Sequence, residues 1–145
     1  LRVVDLDYAR VGEIVGLERE IFALPWGVRE YTAFFCQEAA LGLGVLKKGG
    51  VAAFVTGFNL PGELEILNLA VKKEFRRRKL ASSLLEALFA RFRETRGGGT
   101  AFLDVRESNR PAITLYSNFG FEKVGVRKNY YLDTNEDAWI MRLDL

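Results

Sequence analysis

Three features of this 145-residue sequence could do chemistry. Asp104 is a carboxylate inside the apolar run Phe102-Leu103-Asp104-Val105, Tyr116 is an ionisable phenol, and the cationic run Arg76-Arg77-Arg78-Lys79 stands directly before leucines at helical spacing. An unpaired carboxylate in an apolar strand is costly to bury. Asp104 is therefore either paired, by Arg106 or another neighbour, or kept for work. Taken alone, Tyr116 reads as a core aromatic and Asn109 as the N-cap of a helix. The cationic run has two readings. One is a solvated patch; the other is a phosphate site, because a helix N-terminus offers unpaired N–H groups and partial positive charge. Its place between a strand and a long helix favours phosphate.

Absences narrow the chemistry. With no histidine, Ser-His-Asp and Cys-His catalysis are excluded, so proton transfer must use a carboxylate, Tyr, Lys, Cys or water. Cys36 is the one cysteine, which rules out an intramolecular disulfide, and no ligand set for zinc exists, so no metal is expected. Neither G-x-x-x-x-G-K-[ST] nor G-x-G-x-x-G occurs, which argues against a mononucleotide kinase and a dinucleotide-dependent dehydrogenase. The net charge of +2 gives little reason to expect nucleic-acid binding. No apolar stretch reaches the ~18 residues of a membrane span, and nothing reads as a signal peptide. A cytoplasmic setting is expected.

The elements that must position these groups follow from periodicity. Leu1 to Leu6 reads as a strand, after which Asp7 caps a helix with Val11, Ile14, Val15, Ile21 and Phe22 on one face and Glu18 as the single break. A second short helix runs to about Gln37. Two apolar runs about Gly49-Gly50 form a hairpin, and "NLPG" at 59–62 turns into "ELEILNLAV", a strand expected to be buried on both faces. Leu80, Leu84, Leu85, Leu88, Phe89 and Phe92 mark a helix ended by Gly97-Gly98-Gly99, followed by the strand "TAFLDVR" and the helix "RPAITLYSNFG". Two strands close the chain. The expected fold is α/β, a mixed, mostly antiparallel sheet with helices on both faces in the order β-α-α-β-β-β-α-β-α-β-β, forming a single domain over residues 1–145.

On "FALPW", "LNLAV", "FRRRKLASSLL", "LDVRESNRPAITLYSNFGF", "VRKNYY" and "EDAWIMRLDL", the chain resembles the GNAT N-acetyltransferases, and within them the bacterial branch that acetylates the N-terminal alanine of a ribosomal protein. The resemblance implies acetyl-CoA as donor and direct transfer to an amine, with a protein N-terminus as acceptor. It implies that the backbone N–H groups from Arg76 through Arg77, Arg78, Lys79, Leu80 and Ala81 to Ser82 cradle the CoA pyrophosphate. Backbone groups of Leu69, Ala70 and Val71 would hold the acetyl and pantetheine arm, with an N–H near Leu69–Ala70 steadying the oxyanion. Asp104 matches the general-base position, Tyr116 the proton donor to the departing thiolate, and Asn109 a cofactor contact. Trp26, Tyr130 and Tyr131 match the walls of the peptide groove.

Two departures stand out. Asp104 replaces the usual glutamate, shortening the reach by about 1.5 Å, so Glu63 or Glu65 could share its task. Lys79 stands where the loop of the family normally has its first glycine, which would matter if that residue needs a positive φ. Two alternatives remain open at this stage: acetylation of a small amine, and a CoA-sensing or nucleic-acid-binding module without catalysis.

Overall fold

The stripe Leu80, Leu84, Leu85, Leu88, Phe89 and Phe92 is buried as its helical spacing predicts, and the sheet it packs on sets the geometry of everything else. The computed structural model describes residues 1–145. Its elements are β1 (Val3–Leu6), α1 (Val11–Ile21), α2 (Val28–Phe35), β2 (Ala40–Lys47), β3 (Gly50–Leu60), β4 (Gly62–Val71), α3 (Leu80–Arg96), β5 (Gly99–Arg106), α4 (Arg110–Asn118), β6 (Glu122–Tyr131) and β7 (Glu136–Asp144). This is the expected order. The seven strands form one sheet, β1-β2-β3-β4-β5-β7-β6. One hydrophobic cluster packs α3 and α4 on one face, and a second packs α1 and α2 on the other. No helix is long and apolar enough to cross a membrane.

Two local readings change. Asp7 does cap, its Oδ1 accepting the Ala9 N–H at 2.9 Å, but it caps a 3-10 turn over Tyr8–Arg10 that precedes α1. β4 is not buried on both faces. Leu64 and Ile66 enter the core while Glu63 and Glu65 are exposed, because one face of β4 borders a cleft.

That cleft follows from the sheet itself. Every strand pair is antiparallel except β4 with β5, which pair in parallel from Gly62↔Gly99 only as far as Glu65↔Phe102. Beyond this point the two strands part, β4 running on to Val71 and β5 to Arg106. β4 stays with β3 but bulges: Val55 opposes Leu69 and Gly57 opposes Ile66, so Leu67 and Asn68 together face Thr56. Gly57 is required here, since a Cβ on it would lie 2.6 Å from the Glu65 carbonyl oxygen.

Candidate active site

The parted strands open a cleft of about 730 Å³. Past the bulge, the Lys72 N–H donates to the Ala52 carbonyl at 2.8 Å. Alternation along an antiparallel ladder then turns the main chain of Ala70 toward β3 and those of Leu69 and Val71 toward the opening. The Val71 carbonyl accordingly accepts from Arg76 Nε, at 3.4 Å, rather than from β3. Of the three residues singled out on β4, the main chains of Leu69 and Val71 thus face the opening and that of Ala70 faces Phe54 on β3.

At the far end of β4 the chain passes through the cationic loop into α3. Arg77 and Lys79 both have positive φ, 63° and 58°, and Lys79 is the N-cap. The glycine position thus does demand a left-handed backbone, which a lysine adopts at a cost of about 1–2 kcal/mol. The consecutive N–H groups of Arg77, Arg78, Lys79, Leu80, Ala81 and Ser82 donate to no protein acceptor; the first helical bond of α3 is Ser83 N–H to the Lys79 carbonyl, 3.1 Å. A run of unbonded donors at a helix N-terminus suits an anion such as a phosphate. Arg76 falls outside it, because its own N–H donates to the Lys73 carbonyl at 3.3 Å to close the preceding 3-10 turn. The side chain of Leu80 is buried in the core, leaving only its backbone for a ligand.

The expected side chains converge on the same cleft. Asp104, Asn109, Tyr116, Trp26, Tyr130 and Tyr131 all line it, with Glu63 and Glu65. Asp104 is paired, but not by Arg106: its two carboxylate oxygens accept from Arg127 Nε at 3.3 and 3.2 Å. Arg106 pairs instead with Asp133 at 2.9 Å and Glu136 at 3.3 Å, and lies 4.0 Å over the Tyr131 ring. It thereby ties the β6–β7 turn to β5. The β6–β7 register shifts between Arg127 and Tyr131, and this irregularity carries Tyr130 to the mouth, where it is half-exposed. Burial, and after it the charge of Asp104, pushes the Tyr131 phenol up to about 12.

Glu65 lies on the strand next to Asp104. Although the residue as a whole is exposed, partial desolvation of its carboxyl at the cleft raises its pKa, the charges of Glu63 and Asp104 raise it further, and Arg127 opposes them. A carboxyl group lifted in this way is a better proton acceptor near neutrality than an unperturbed one. Tyr116 is buried, and burial raises its pKa above the ordinary phenol range, so it stays protonated. Its hydroxyl has no hydrogen-bond partner and is not sealed in the core, so it opens on the cleft as a donor. Asn109 fills the local role its position suggested: its Oδ1 accepts the Ala112 N–H at 3.2 Å. Its amide nitrogen makes no bond within the chain, and the residue lines the cleft.

Arg127, Glu18 and Asn68 also line the cleft without having been singled out. Arg127 had no separate signal within "VRKNYY". Glu18 did have one, as the sole charged residue on the apolar face of α1.

Comparison with known proteins places this geometry. The model of the acetyltransferase (GNAT) family matches residues 11–121. The chain is 36% identical over 131 residues to the [ribosomal protein bS18]-alanine N-acetyltransferase of Escherichia coli, covering 89% of this chain and 87% of that protein. It is 35% identical over 147 aligned positions to the corresponding enzyme of Haemophilus ducreyi, covering 99% and 97%. The crystal structure of the Escherichia coli ribosomal-protein-S18-alanine N-acetyltransferase superposes with a TM-score of 0.91 at 30% identity, covering 99% of this chain and 92% of that one.

Proposed function

The chain belongs to the GNAT acetyltransferase family and is an N-acetyltransferase, and from that premise we propose that it acetylates the α-amine of a protein N-terminus, an alanine of a small-subunit ribosomal protein, in the cytoplasm. The observation that carries this reading is the parting of β4 from β5. It makes the opening that the Leu69 and Val71 main chains face, ringed by Asp104, Tyr116, Trp26, Tyr130 and Tyr131.

Acetyl-CoA fits the donor groups on hand and supplies the acetyl group activated as a thioester. The unbonded N–H groups from Arg77 to Ser82 hold its pyrophosphate, while the neighbouring cations add longer-range attraction. Leu69 and Val71 offer main-chain hydrogen bonds along the opening, and the Asn109 amide supplies another. Trp26, Tyr130 and Tyr131 wall the acceptor side.

The acceptor must lose a proton, since an α-amino group of pKa ~7.7–8.0 is mostly ammonium at neutral pH. Asp104 takes it, together with Glu65. The two carboxylates repel each other across the strand pair while Arg127 stays bonded to Asp104. The shortened reach of Asp104 is thereby offset by a second carboxylate on β4. Tyr116, kept protonated by burial, gives its hydroxyl proton to the leaving sulfur.

Incubation with acetyl-CoA and a peptide beginning with the mature alanine N-terminus of such a ribosomal protein should add one acetyl group at the α-amine, read by mass spectrometry. Failure to modify any peptide N-terminus at any pH would overturn the assignment. Polyamines and free amino acids, added as competitors, should be acetylated far more slowly. Tyr116→Phe should slow transfer by about 100-fold and leave acetyl-CoA affinity unchanged; equal loss of both would make Tyr116 a packing residue.

A further inference from the structure

Glu18 is buried among Ile14, Val15 and Leu17 of α1, with 1% of its surface exposed. No cation contacts it. Its Oε1 accepts the Trp26 N–H at 2.8 Å and Asn68 Nδ2 at 3.1 Å, and its Oε2 lies 3.3 Å from the same amide. Asn68 is half of the β4 bulge, where its own N–H donates to Thr56 Oγ1 at 3.2 Å and its amide reaches the Tyr31 hydroxyl at 3.3 Å. A buried carboxylate without a cation is a poor way to stabilise a helix face, and an apolar side chain of the same size packs there at lower cost. What Glu18 adds is a connection. One carboxylate joins the loop carrying Trp26 to the bulge that turns Leu69 into the opening.

We propose that Glu18 is a positioning residue for acyl transfer, a clamp that holds the Trp26 wall of the acceptor side in register with the β4 bulge on the donor side. The inference rests on the acetyltransferase reading above. Reacting atoms must meet within a few tenths of an ångström of the productive geometry, and a displacement of about 1 Å lowers rates on the order of 100-fold. Loosening the clamp lets the two walls drift apart although neither loses a group that touches the reactants. The clamp works by hydrogen bonding: a glutamine can still accept from Trp26, and a flipped Asn68 amide can still bond to it.

Glu18→Met cuts the clamp and Glu18→Gln retains it. In Glu18→Met, kcat should fall by about 10- to 100-fold and the peptide KM should rise, with acetyl-CoA affinity near that of the parent; Glu18→Gln should stay within a few-fold of the parent. Parent-like kinetics in Glu18→Met would overturn the proposal, as would an equal loss of acetyl-CoA binding. A Glu18→Gln variant as impaired as Glu18→Met would also overturn it, by making the charge itself the working part. Should Glu18→Met fail to fold, Asn68→Ala cuts the same link from β4 and should give the same split between kcat and acetyl-CoA affinity. A readout independent of activity separates failure of the clamp from failure of the acetyltransferase reading. With Trp139 replaced by Phe, Trp26 is the remaining tryptophan, and its emission should shift to the red on cutting the clamp. An unchanged spectrum would overturn the proposal even if the protein acetylated nothing.

Discussion

Asp104 and Glu18 reach one cleft from the two sides of the β4–β5 opening, and the same functional group is treated in opposite ways. Asp104, with 29% of its side chain exposed, sits beside the Arg127 guanidinium. Glu18 is sealed among apolar side chains and held only by neutral donors, so that burial pushes its pKa up to about 7 against the pull of the Trp26 N–H, the Tyr31 hydroxyl and the Asn68 amide. The first arrangement leaves a carboxylate accessible to an incoming ammonium. The second leaves its oxygens already engaged by the Trp26 N–H and the Asn68 amide and makes it a structural acceptor. Charge alone therefore does not identify the working acid or base; the partners and access of each carboxylate do.

The sharpest test of this contrast is a pair of isosteric changes. Asp104→Asn should lower kcat/KM by about 100-fold, whereas Glu18→Gln should lower it only a few-fold. A reversed order would mean that the buried carboxylate does the chemistry. Glu65→Gln belongs in the same series, with a loss of about tenfold if Glu65 shares the proton; a loss exceeding that of Asp104→Asn would move the base to β4.

Arg127→Gln probes the partner rather than the acid. Since the Arg127 charge lowers the pKa of Glu65, its removal should move the acid limb of the kcat/KM profile to higher pH. A shift to lower pH, or none, would separate Glu65 from the reaction.

The Glu18 environment also affects stability. Its folded-state pKa of about 7 lies above the ordinary glutamate value of 4.5, so between those values the folded protein keeps a proton that the unfolded chain has released. The stability it contributes is full below about 4.5 and is lost as pH rises through about 7. That gap corresponds to an effect of about 3 kcal/mol. Urea denaturation at several pH values should thus show Glu18→Gln gaining on its parent by up to about 3 kcal/mol from acid to mildly alkaline conditions. A pH-independent difference would contradict the buried-carboxylate account.

The smallest effect concerns the cationic loop before α3. Lys79→Gly relieves a left-handed lysine and should stabilise the protein by no more than about 1 kcal/mol, with activity intact. A large loss of acetyl-CoA affinity would show that the lysine side chain itself grips the phosphate.

Much of this was written locally. The α3 stripe, the hairpin about Gly49-Gly50 and the Asn109 cap each rest on residues a few positions apart, and each appears where local spacing placed it. The α1 stripe was equally legible, and Glu18 was visible in it as an interruption. Its partners were not, because Asn68 lies on a strand 50 residues away. The same limit applies to Asp104, whose cation turned out to be Arg127 on β6 rather than Arg106 two residues on. Burial on both faces was misjudged for β4 because an apolar run does not reveal that its neighbour departs after four pairs.

The sequence by itself determined the elements, their order, the cationic run placed before α3, and the residue types available for proton transfer, because helical and strand periods and side-chain chemistry are properties of neighbouring residues. Only the tertiary structure decided where β4 and β5 part, which carboxylate meets a cation, and that Glu18 joins the two walls of the cleft. Those outcomes depend on strand register and on contacts between residues far apart in the chain, which no local pattern encodes.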